Sequence, residues 1–182
     1  MLLAALNLLL RMHIAWFLYE VMTMPDDPRF AGKAIPARNL AIVGGASLVL
    51  PAVQLLTRRW KRYPWGWDAL HLSVYWLDMA GNSFDLYDSY THFDLIPHSH
   101  GAGAMAALFW GAFGMRPLHA FLLGNGLHGA LELQESLTDV FFGTHNVRAW
   151  WDQPGDLAAG LVGTTLYTLL APRLFRRAAT RA

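Results

Sequence analysis

Carboxylates and imidazoles recur at helical spacing from the middle of this chain onward, as Asp88-x₃-His92, His128-x₃-Glu132-x₂-Glu135 and Asp152-x₃-Asp156. Residues three and four apart share one face of an α-helix, so each motif presents its polar groups to one side. Carboxylates crowded into a low-dielectric setting repel one another and are driven towards protonation unless a cation offsets them. With no cysteine in the chain, disulfides and thiolate ligands are excluded. The remaining oxygen and nitrogen donors suit a divalent metal ion such as Mg²⁺, Mn²⁺, Fe²⁺ or Zn²⁺ better than Cu(I). The candidate metal ligands are Asp88, His92, Glu132, Glu135, Asp152, Asp156 and His100; His92, His128 and Glu135 are the candidates for catalysis and proton transfer. The carboxylate and ExxH pattern of ferritin-like di-iron bundles is not reproduced. Two readings use no metal: a hydrated polar funnel, and a network of carboxylates sharing protons.

Neighbouring residues are weighed in the same way. His98 and His100 bracket the start of an apolar segment after Pro97, a pattern that an N-terminal turn alone explains, and His100 is the stronger ligand candidate of the two. Asp94, Asp139 and His145 read as solvated loop residues. Asp78, Gly81, Asp85, Asp88 and His92 form one stripe if the segment carrying them is a continuous helix. Gly101, Ala102, Gly103, Ala104, Ala106 and Ala107 offer small side chains that let neighbouring backbones approach.

The elements that must position these groups are apolar. Hydrophobic residues make up 54% of the 182, mean hydropathy is +0.26 and there are eight tryptophans, which predicts an all-α, integral membrane bundle of about six transmembrane helices forming one domain over residues 1–182. The spans are read as 2–23, 39–57, 68–93, 98–115, 117–140 and 155–175, with prolines 25, 28, 36, 64, 97, 117 and 154 at the joins. Met1–Leu10 is apolar but has neither a preceding basic residue nor a clear small-residue cleavage site, and so reads as a retained helix. The basic runs at Arg58-Arg59 and Lys61-Arg62, with Arg116, Arg173, Arg176, Arg177 and Arg181, fall on one side of this topology; Arg29, Lys33, Arg38 and Arg148 fall on the other. By the positive-inside rule both termini are cytoplasmic, in a bacterial inner membrane, and the carboxylates collect on the extracytoplasmic side. Arg11 and Asp78 then lie at equal depth in the first and third spans and are predicted to pair. A net charge of +1 argues against a nucleic-acid surface.

The run Asp88-Ser-Tyr-Thr-His92-Phe93, then Glu132-Leu-Gln-Glu135, then Asp152-Gln-Pro-Gly-Asp156 with Gly160 and Gly163, resembles the motif order of the VanZ-like and YjdF-like bacterial membrane proteins. Ser89 stands where those families often have Lys, and Ala158-Ala159-Gly160 replaces a common Asn. The resemblance covers about residues 85–163 and implies a polytopic bundle with a polar site on one membrane face.

Two function classes remain. One is a membrane-embedded, metal-dependent enzyme acting on an amphipathic or lipid-linked substrate, with hydrolysis favoured over oxidation. The other is a non-catalytic membrane subunit or ligand-binding protein with a polar core. No Ser-His-Asp order, Gly-rich phosphate loop or di-histidine HxxHH box is present, which counts against serine lipases, nucleotide enzymes and typical membrane desaturases. Arg148 is the basic residue nearest the expected outer mouth, so clamps for a phosphate-cleaving reaction are scarce.

Overall fold

In the computed structural model the chain is all-helical among the described residues, which are 1–31, 33, 35–147 and 149–179. Two compact units divide it, Met1–Ser89 and Tyr90–Ala182.

The first unit holds α1 (Leu2–Thr23), the single-turn α2 (Ile35–Arg38), a π-helical segment over Asn39–Gly44, α3 (Val49–Leu56), a 3₁₀ turn at Trp60–Arg62, α4 (Trp65–Ser83) and the single-turn α5 (Leu86–Ser89). By length and composition α1 is the one described helix apolar enough to cross a membrane. Its Leu10, Ile14 and Phe17, spaced by four and three residues, pack with Val43 and with Ala69, Leu72, Met79 and Ala80 of α4. The expected second span is broken at Ser47-Leu48, between the π-helical segment and α3. The expected third span is also broken. Asp85 adopts φ 57°, a left-handed conformation that Asp tolerates better than most residues, and it separates α4 from α5. The five-residue stripe from Asp78 to His92 therefore does not form, because it required one uninterrupted helix.

Arg11 pairs with Asp68 rather than Asp78. Its Nη2 lies 2.6 Å from Asp68 Oδ2, its Nε donates to Asn7 Oδ1 at 3.1 Å and its Nη1 to the Ser47 carbonyl at 2.8 Å. Asn7 Nδ2 and the Tyr63 hydroxyl also donate to Asp68 Oδ2. Burial, and the negative Asp68 beside it, push the Tyr63 hydroxyl well above its usual range. Counting equal depths had set Arg11 against the middle of the third span, but the side chain reaches the first turn of α4, where Asp68 also meets the positive end of the helix. Asp78 is held instead by Arg38 Nη2 at 3.0 Å and the Tyr87 hydroxyl at 3.0 Å.

The second unit is built from three helices, α6 (Leu95–Gly111), α7 (Pro117–Phe142) and α8 (Asp152–Ala179). Pro97 and Pro154 lie in the first turns of α6 and α8, where a missing N–H costs no helical hydrogen bond. Pro117 opens α7, and Gly143, at φ 67°, closes it through an N–H bond to the Asp139 carbonyl. Small residues set the helix separations. A Cβ on Gly163 would run into the Ser99 carbonyl, and one on Gly103 would meet the Gly163 carbonyl and the Tyr167 ring. Gly124 is nearly as confined, against Ala106 and the Ala102 carbonyl. Backbones approach this closely only where side chains are absent.

The two faces of α7 invert the usual soluble pattern. Leu118, Leu122, Leu127 and Leu131 are exposed, whereas His128 and Glu132 are buried.

Candidate metal centre

Three helices each bring polar groups to the interior of the second unit. Asp94 and His98 are an i,i+4 pair at the start of α6, His128 and Glu132 one on α7, and Asp152 and Asp156 one on α8. Fixed helical pitch aims both members of a pair the same way. Gln153 links two of the helices, donating from Nε2 to the Glu132 backbone carbonyl at 3.0 Å and to the Ser136 hydroxyl. Asn125 ties them again through the Thr164 hydroxyl at 2.9 Å.

His98 is the hub. Its Nδ1 lies 2.8 Å from His128 Nε2 and 2.9 Å from Glu132 Oε1, and His128 Nε2 lies 3.1 Å from the same oxygen. Glu132 Oε1 is buried and makes no aligned hydrogen bond, although two ring nitrogens are within contact distance. Three ligand atoms of a tetrahedral site with 2.0–2.1 Å bonds stand about 3.3 Å apart, so a small outward shift of this triangle accommodates such a cation. On the far side of the same ring, His98 Nε2 is 3.2 Å from Asp94 Oδ1 and 4.0 Å from Asp156 Oδ1. These two groups, His98/His128/Glu132 and Asp94/His98/Asp156, could each hold a metal ion. Histidines are the only ion-pair partners of Asp94, Glu132 and Asp156 among the described residues.

Of the ligand candidates read from the sequence, Glu132 and Asp156 fall in these groups, as does His128, read as a catalytic residue. Asp152 is buried one turn before Asp156, and Glu135 is half-buried one turn beyond Glu132; neither belongs to the converging sets. His100 points elsewhere, with Nδ1 2.7 Å from the Tyr167 hydroxyl. His92 is exposed and its ring lies edge-on to Trp151, centroids 6.4 Å apart. Asp88 is on α5 of the first unit, exposed and 2.7 Å from Lys33 Nζ. Arg148 lies outside the described residues.

His98 and Asp94, given little weight in the sequence, are central. Their i,i+4 spacing is the same signal that singled out the other pairs, but Pro97 between them read as the end of a loop rather than as the first turn of a helix. Asp139, read as a solvated loop residue, organises the end of α7 by accepting hydrogen bonds from the Thr144 hydroxyl at 2.6 Å and from the Asn146 and Val147 amides at 2.9 and 2.8 Å.

A groove of about 450 Å³ follows the α6–α8 seam, lined by Leu95, Ile96, Ser99, His100, Ala159, Val162 and Tyr167. Comparison with protein-family models, curated proteins and solved structures gave no match.

Proposed function

We propose that this chain is a multi-span bacterial inner-membrane protein that uses a divalent cation at His98, His128 and Glu132 to hydrolyse an amphipathic, lipid-linked substrate. One observation carries the reading. His98 Nδ1, His128 Nε2 and Glu132 Oε1 converge to about 3 Å of one another in a buried setting, and the carboxylate oxygen lacks an aligned donor. Two imidazoles and one carboxylate are a ligand set of hydrolytic zinc sites, which leave a coordination position open; Zn²⁺ is the ion that best fits them, with Fe²⁺, Mn²⁺ and Mg²⁺ behind it.

A cation bound there supplies a Lewis acid and lowers the pKa of a bound water towards 7. The chain's own residues do the rest. Asp94 holds His98 through Nε2, which fixes the ring so that Nδ1 faces His128 and Glu132. The Glu132 backbone is pinned by Gln153. Glu135, one turn along α7, is the candidate to carry a proton to or from the substrate.

Support for the membrane setting comes from each unit by itself: in the first, Leu8 of α1 is exposed while Asp68 is buried, and in the second, Leu122, Leu131 and Leu161 are exposed while His128, Glu132 and Asp156 are buried. The six-span topology, with both termini cytoplasmic, the carboxylates extracytoplasmic and a VanZ-like or YjdF-like relationship, belongs to the same proposal. The α6–α8 groove has the apolar lining an acyl chain needs.

The test is elemental analysis of protein purified with its lipids from zinc-supplemented cells, alongside hydrolysis of an extracted bacterial lipid panel with and without chelator. About one or more equivalents of metal and chelator-sensitive hydrolysis are expected, both lost in His128→Ala and Glu132→Gln. Metal-free protein from several preparations would sink the enzyme reading and favour a non-catalytic subunit with a polar core.

A further inference from the structure

The metal site on the Nδ1 side of His98 leaves the opposite side of that ring unexplained. Asp156 is 4% exposed, and among the described residues it makes no hydrogen bond and has as its only ion contact His98 Nε2 at 4.0 Å. An ionised carboxylate buried without donors carries a large desolvation cost. Asp94 Oδ1 lies 3.2 Å from the same nitrogen, and the three ligand atoms of Asp94, His98 and Asp156 fall within 4.8 Å of one another. A largely buried carboxylate without a hydrogen-bond donor among the described residues thus faces a second carboxylate across an imidazole nitrogen.

We infer that Asp94, His98 Nε2 and Asp156 bind a second divalent cation, so that the His98 ring bridges two metals as an imidazolate. This rests on the single-metal reading above and deepens it. Charge supports the arrangement: Asp94, Glu132 and Asp156 together with an imidazolate carry four negative charges, which two divalent cations cancel. No lysine or arginine among the described residues does so in their place. Forming the bridge removes the remaining ring proton of His98, which leaves to solvent as the second cation binds. Metal–nitrogen bonds of 2.0–2.1 Å on opposite ring nitrogens put the two ions roughly 6 Å apart, farther than the 3.5–4 Å of two-metal hydrolytic sites. The two cations therefore have different tasks. The ion at Glu132 keeps the open position, while the ion at Asp94 and Asp156 fixes the bridging ring and offers a second positive centre for an anionic part of the substrate.

The full chain in detergent, stripped by chelation and re-equilibrated with Zn²⁺, gives the count. We expect two zinc ions per chain in the wild type, one in Asp156→Asn and one in Asp94→Asn. Asp94 precedes the first turn of α6 and is less buried than Asp156, so its amide variant carries the count if Asp156→Asn does not fold as judged by helicity. Cu²⁺ substitution tests the bridge: the first equivalent should give an electron paramagnetic resonance signal, and the second should diminish it through coupling across the imidazolate. A single zinc in the wild type, unchanged by Asp156→Asn and lost in His128→Ala, overturns the second site and leaves the first standing. A single zinc lost in Asp156→Asn but kept in His128→Ala overturns both assignments, as does no zinc at all. Two zincs retained in both amide variants, or two coppers with an undiminished signal, overturn the bridged pair.

Discussion

Single side chains in this protein act through partners that a linear reading finds only when both lie on one helix. His128 and Glu132 are such a pair. Asp68 and Arg11 are not, and only packing brings α1 to the first turn of α4. With Asp68 fully buried, Arg11→Met leaves a carboxylate without its cation and should cost about 3–5 kcal/mol in thermal or denaturant unfolding, whereas the double variant Arg11→Met/Asp68→Leu should recover much of that loss. Strictly additive losses would show that the charges are not coupled. A milder electrostatic test lies in the first connection. Arg29 grips Asp27 through its side chain and its backbone amide and also reaches Glu20 at 2.8 Å. The hydrogen bonds hold the Asp27 carboxyl down at about 2. A carboxyl lowered in the folded state favours that state above its ordinary value near 3.8 and loses the contribution as pH falls through about 2. Carboxyl NMR should find this midpoint in the wild type and an ordinary one in Arg29→Met; equal midpoints would dismiss the contact.

At the level of helices, the close approach of α6, α7 and α8 depends on glycines whose places are already filled. A methyl on Gly160 would occupy the space of the His128 ring. Gly160→Ala should therefore lower metal affinity by roughly 10–100-fold with helicity retained, the range typical when a ligand is displaced by its surroundings. Gly129→Ala has open space at its Cβ and should leave metal binding unchanged while adding about 0.5–1 kcal/mol from helix propensity. If both variants bind metal like the wild type, His128 is not where the centre lies. Helix limits were legible where a proline or glycine marks them: α1, followed by Pro25, is Leu2–Thr23, and α7, opened by Pro117 and closed by Gly143, ends two residues past its expected limit. They were illegible where the break had no Gly or Pro, as at Asp85, because a left-handed Asp leaves no compositional trace. The same limitation acted in reverse at Pro97, a proline inside a helix that was read as outside one.

For the molecule as a whole, the composition predicts a membrane bundle of about six spans; the described residues are all-helical, with α1 the one helix long and apolar enough to cross. Span number and sidedness can be tested directly by cysteine labelling because the chain has no cysteine. Single cysteines at Ala31 and His145 should react with a membrane-impermeant thiol reagent added to intact cells, and one at Arg59 should react only after lysis. The reverse pattern would move the carboxylates to the cytoplasmic side. The site itself was half legible: periodicity found the α7 and α8 pairs, but which pairs meet depends on tertiary packing, and the stripe leading to Asp88 and His92 rested on a helix that does not continue.

The three pairs, Asp94/His98, His128/Glu132 and Asp152/Asp156, make the chain unequally sensitive to changes in length. Inserting one residue within a pair turns one member about 100° around its helix and away from the centre. An insertion in the exposed connection over residues 112–116, between α6 and α7, changes only the path of a loop. Random insertion libraries should thus show a punctuated pattern, with tolerance in the α6–α7 connection and none inside the pairs.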